Sequence, residues 1–135
     1  MSGRFDLLFV YGSLLRGQPQ EGYLLHLPAA PATCPGRLVR LPAGYPALIP
    51  EPDAGPVLGE AVRFSDPGLL TLLDLYEDVA GGLYTRQRVP ITVKGRTLDA
   101  WAWVTTADLA RRRGWHPLKT RDWREVAPRS SAPER

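Results

Sequence analysis

Leu7–Tyr11 is an unbroken apolar run closed by Gly12-Ser13, the pattern of a buried strand that ends in a tight turn. Arg37–Leu41 and Tyr45–Ile49 are short strand candidates separated by Pro42-Ala43-Gly44, and Val57–Phe64 is another. The clearest alternation lies in Tyr84–Val93 and Thr97–Thr105, joined by Lys94-Gly95-Arg96. It places Val89, Ile91 and Val93 on one face of the first arm. It places Leu98, Ala100, Ala102 and Val104 on one face of the second, so the two arms predict a hairpin. Ser65-Asp66-Pro67 supplies a cap followed by proline at the first helical position, where a missing N–H costs nothing. That helix runs through about Asp78 and stops before Gly81-Gly82. A shorter helix covers Thr106–Arg113, with Gly114 as its stop. Residues 26–36, rich in proline and alanine, predict an extended connector, and residues 127–135 a disordered tail. The sum is a mixed α/β (α+β) domain over residues 1–126, a strongly curved sheet or small β-barrel with one prominent helix.

On a wheel of about 100° per residue, Leu69, Leu72, Leu73 and Tyr76 form the apolar stripe of the long helix. Asp78 falls opposite it, and Asp74 near the polar flank. Glu77 falls between Leu73 and Leu70, on the apolar side. A carboxyl there is partly desolvated and close to the negative end of the helix dipole. Both effects disfavour its charged form and tune it for proton transfer near neutral pH. The alternative is a structural ion pair with Arg86 or Arg88, and the wheel does not choose between them.

Tyr11-Gly12-Ser13-Leu14 follows the first buried strand. A glycine there lets the backbone turn sharply and approach a ligand, and successive N–H groups in such a turn form a concave anion site. A plain strand-ending turn is the simpler reading. GxxxxGK[ST] and GxGxxG phosphate loops are both absent.

The chain of 135 residues fits one domain, and its 44% hydrophobic and 23% charged residues are ordinary for a globular protein. Cys34 is the single cysteine, so no intrachain disulfide is expected and a cytoplasmic home fits. No apolar run approaches a membrane span. A net charge of +3 is a weak footprint for nucleic acid, so none is expected as a partner. Arg111-Arg112-Arg113 reads as a solvated helix end, and the four tryptophans as packing residues. No His/Cys spacing suggests a metal site, and His26 and His116 lack the context of a catalytic triad. Cys34 reads as a packing or surface residue.

Phe9-Val10-Tyr11-Gly12-Ser13-Leu14-Leu15-Arg16-Gly17 resembles the opening strand and loop of the γ-glutamylcyclotransferase-like family, in the version of its γ-glutamylamine cyclotransferase and small bacterial branch. A plant branch of avirulence-induced proteins shares the pattern. Gly44-Tyr45-Pro46-Ala47-Leu48, Leu73-Asp74-Leu75-Tyr76-Glu77 with Tyr84-Thr85-Arg86, and Arg121-Asp122-Trp123-Arg124 resemble three further family segments in the same order. The resemblance implies a small β-barrel flanked by helices. It implies an enzyme, free of cofactors, that converts a small γ-glutamyl compound into 5-oxoproline and a released amine. It puts the catalytic glutamate on Glu77, the substrate loop on Tyr11, Gly12, Ser13 and Leu14, and site-lining or bracing positions on Tyr84 and Arg86. Trp103 stands where many members have tyrosine, which removes a phenol from that strand. A non-catalytic ligand-binding member of the same fold is the first alternative, and a nucleic-acid-binding β-barrel the second.

Overall fold

Strands from the first half of the chain, joined by one from the second half, build a closed ring. The computed structural model describes residues 6–12, 27–42, 44–76, 82 and 84–125. The strands are β1 (Asp6–Val10), β2 (Ala29–Arg40), β3 (Pro46–Pro50), β4 (Pro56–Phe64), β5 (Thr85–Val93), β6 (Arg96–Val104) and β7 (His116–Pro117). The helices are α1 (Gly68–Tyr76) and α2 (Ala107–Arg113), with a 3₁₀ turn at Trp123–Glu125.

β1, β4, β2, β3 and β6 pair in that order, and β6 returns to β1, closing a five-stranded barrel. Two of the junctions are parallel, in register at Leu8 with Trp101 and at Leu48 with Val104. β5 lies against β6 along its whole length and touches β2 at Thr33–Thr92. The β5–β6 turn puts Lys94 and Gly95 at φ 51° and 80°, the geometry of a two-residue hairpin loop. That places the start of β6 at Arg96 and extends the hairpin read from the sequence by one residue.

Two apolar clusters divide the core. One draws on all six long strands and neither helix, with Phe9, Cys34, Leu48, Ile91 and Ala102 among its members, and fills the barrel. The other covers the outer face, where Leu73 of α1 and Ala110 of α2 pack with Leu8, Val39 and Trp103. β6 feeds both. Ala100, Ala102 and Val104 point inward, as the alternation predicts, while Trp103 lies outward yet buried beneath helix.

The helix starts follow their local chemistry. Asp66 Oδ1 accepts from the Gly68 N–H at 2.9 Å, with Pro67 between them. Thr106 accepts from the Leu109 N–H at 3.0 Å, and Gly114 closes α2 in the left-handed conformation.

The segment 26–36 departs from expectation. From Ala29 it is strand, not connector, and forms the most shared strand of the sheet. Proline argues against a central strand because it cannot donate to a ladder. Pro31 and Pro35, however, lie four residues apart and so share one phase of the ladder. One register then pairs β2 with β4 from Ala29–Val62 to Pro35–Pro56 without needing either N–H. Ala32 and Cys34 alternate inward.

Cys34 is fully buried, and burial pushes its thiol from 9.0 up to about 12. Native protein at pH 8 is therefore expected to resist a thiol-labelling reagent that reacts at once after denaturation. Between 9.0 and about 12 the unfolded chain sheds this proton first, so the contribution of Cys34 to stability falls as pH rises through that window. Fast native labelling at pH 8 would contradict the buried position.

The four tryptophans pack as read: Trp103, Trp115 and Trp123 are buried, and Trp101 is partly so. Arg111 and Arg112 pair with Asp108 on the exposed side of α2. Among the described residues no helix is long and apolar enough to cross a membrane.

Candidate functional site

β1 leads into Tyr11, whose ring turns into the barrel and stacks near Phe9, with centroids 6.1 Å apart. Its hydroxyl donates to the Trp103 carbonyl at 2.5 Å and accepts from the Leu48 N–H at 3.0 Å. One phenol thus fastens the end of β1 to β6 and β3. Gly12 then passes so close to Pro46 that a Cβ would meet its Cγ at 2.9 Å. Pro46 in turn accepts, through its carbonyl, the Tyr84 hydroxyl at 2.6 Å. The Gly44–Leu48 segment is therefore the hub to which the opening loop and the start of β5 are tied.

α1 is tied to the same end. Asp74 Oδ1 accepts the Trp103 indole N–H at 2.9 Å and lies 3.4 Å from Arg86 Nε. Trp103 is consequently a two-way link: its carbonyl holds Tyr11 and its ring holds α1. The indole does not restore a phenol at this position. It recruits a carboxylate instead.

The wheel needs one correction here. Leu72 is 47% exposed, whereas Leu73 is fully buried and Leu69 and Leu70 pack against the outer core. The buried face therefore centres on 69, 70, 73 and 74, and Leu72 does not belong to it. Asp74 sits on that face because two non-local residues, Trp103 and Arg86, give its carboxylate partners.

Arg86 and Arg88 both lie over the Trp101 ring, each 5.0 Å from its centroid. Asp6 binds Arg88 Nη1 at 2.9 Å and the Trp101 indole N–H at 2.9 Å. The carboxylate partners described for Arg86 and Arg88 are thus Asp74 and Asp6.

Tyr11, Gly12, Tyr84 and Arg86 thus meet, through Pro46, Trp103 and Asp74, at one end of the barrel. Ser13, Leu14 and Glu77 lie outside the described residues, as do His26 and the segment 127–135. The Arg121–Arg124 element acts elsewhere. Arg121 Nη1 donates to the Gly36 and Gly55 carbonyls at 2.7 and 2.9 Å, and buried Trp123 seals that corner. A cleft of about 490 Å³ between α2 and the sheet is not lined by Tyr11, Gly12, Tyr84 or Arg86, and its arginines, Arg37 and Arg111, are paired with Glu51 and Asp108.

One residue at this end escaped the sequence reading. Thr105 is 4% exposed, and its hydroxyl has no hydrogen-bond partner among the described residues. A buried, unsatisfied hydroxyl costs about 1–3 kcal/mol. Threonine after a strand carries no sequence signal that sets it apart.

No curated protein matches the chain. Solved structures do. A mouse AIG2-like protein (GGACT) shares 25% identity over 98% of this chain and 99% of its own, with a TM-score of 0.71. YkqA of Bacillus subtilis is 21% identical over 90% of this chain, with a TM-score of 0.70, but the chain spans only 40% of that protein. A protein specific to uropathogenic E. coli is 17% identical over 91% of this chain and 95% of its own, with a TM-score of 0.69. These last two show the shared fold alone. Residues 8–125 match the family model described as gamma-glutamyl cyclotransferase, AIG2-like, and the chain belongs to that family.

Proposed function

We propose that the chain is a γ-glutamyl cyclotransferase whose substrate is a γ-glutamyl amine or γ-glutamyl amino acid and whose products are 5-oxoproline and the free amine. The observation that carries the reading is the double link at Trp103, which joins the strand leading into the substrate loop to the helix turn just before Glu77. The buried face of α1 at 70, 73 and 74 also agrees with the sequence wheel, which puts position 77 on that side and so supports a partly desolvated carboxyl there.

In this reading the substrate's α-amine attacks its own γ-carbonyl. The new C–N bond closes the five-membered ring, and the bond to the leaving amine breaks. Holding the substrate folded supplies much of the rate, because the reaction is intramolecular. The N–H groups of Gly12, Ser13 and Leu14 hold the α-carboxylate or the developing oxyanion. Glu77 takes a proton from the α-ammonium and hands it to the departing nitrogen. Tyr84 and Arg86 brace and line the pocket.

The test is a panel of γ-glutamyl compounds with different amines, assayed for 5-oxoproline. Release from at least one member is expected. Calorimetric binding of 5-oxoproline with no turnover of any member would instead assign a ligand-binding protein. The absence of both binding and turnover overturns the reading.

A further inference from the structure

Thr105 follows the last residue of β6, one step beyond the Thr85–Val104 pair, and so lies across from Tyr84. By strand alternation it faces the same side as Trp103, the side covered by α1, and Tyr84 belongs to that same cluster. Its N–H donates to the Leu48 carbonyl at 2.9 Å, and the Leu48 N–H is the group that holds the Tyr11 hydroxyl. The Thr105 backbone is thus linked through Leu48 to Tyr11, and residue 105 lies next to Tyr84 in the ladder. Among the described side chains its oxygen is the one buried polar atom without a partner.

A valine in its place would fill nearly the same volume with no polar atom left over. A hydroxyl kept unsatisfied where the motif segments converge is accounted for if its partner arrives with the ligand. We infer that Thr105 is a substrate-contact residue whose hydroxyl donates to an oxygen of the bound γ-glutamyl group. The inference rests on the cyclotransferase reading. The hydroxyl is covered in the free protein, so substrate reaches it by displacing an apolar neighbour, and the new hydrogen bond offsets that displacement.

Thr105→Val, Thr105→Ala and Thr105→Ser form the test, each measured for melting temperature, kcat, KM and 5-oxoproline binding. Thr105→Val is expected to melt at or above the parent while kcat/KM falls by about tenfold, the value of one hydrogen bond of ordinary strength. The loss should be the same for substrates that differ only in the amine. Ser and Ala both lack the methyl, so their comparison isolates the hydroxyl even if the valine variant fails to fold: Ser should keep most activity and Ala should not. Equal kcat/KM for Ala and Ser, or a valine variant as active as the parent, overturns the inference while leaving the parent's activity intact. A parent without turnover defeats the cyclotransferase reading separately. In that case 5-oxoproline binding that is equal in Ser and Ala, or absent in the parent, also overturns the role of Thr105.

Discussion

Glu77→Gln is expected to fold and melt like the parent and to lose 5-oxoproline release by about 10²–10⁴-fold, the usual worth of a positioned proton carrier. Glutamine keeps the shape and polarity of the side chain and removes only the titrating proton. The position follows from α1. Leu70, Leu73 and Asp74 lie on its core-facing side, and the wheel read from the sequence assigns position 77, three to four residues further along, to that side. On the same wheel Asp78, one residue on, is turned away by about 100°. Asp78→Asn should accordingly change turnover less than about threefold. Single-turnover and steady-state rates on the best substrate of the panel decide the matter. If Glu77→Gln stays within tenfold of the parent, another group moves the proton.

The largest effect on stability is expected at Gly59, in the middle of β4. A Cβ there would meet the Val10 carbonyl oxygen at 2.3 Å and the Phe9 ring at 2.8 Å. Neither can give way cheaply. The carbonyl belongs to a strand paired with β4 through five registered pairs, and Phe9 is packed inside the barrel. Gly59→Val should therefore destabilise by at least about 3 kcal/mol and lower the melting temperature by about 10 °C or more. The clash also pushes on the peptide that leads into Tyr11, so whatever protein remains folded should lose activity too. Gly68→Ala is the matched control. Its nearest contact is the Asp66 carboxylate oxygen at 3.2 Å, on a side chain that can shift, and alanine favours helix. A Gly59→Val variant melting within 2 °C of the parent would show that β1 and β4 are not packed as described.

Residues that act on their immediate neighbours could be read in the chain directly. The hairpin of β5 and β6, the Asp66-Pro67 start of α1, and the Thr106 and Gly114 ends of α2 each rest on contacts within a few residues. So does the inward set Ala100, Ala102 and Val104, because alternation is a property of a strand alone. Four motif segments in order were enough to place the family. The rest required partners far along the chain. β2 is a strand because β4 and β3 offer ladders that its prolines do not obstruct. α1 is rotated from the wheel's stripe because Trp103 and Arg86 draw Asp74 inward and leave Leu72 in water. Tyr11 became a brace because Leu48 and Trp103 meet at its hydroxyl, and the orphaned hydroxyl of Thr105 exists only once the barrel has closed over it. Period and capping are local free energies that the sequence carries in itself. Which buried polar groups find partners depends on long-range closure, and that was decided by the tertiary structure.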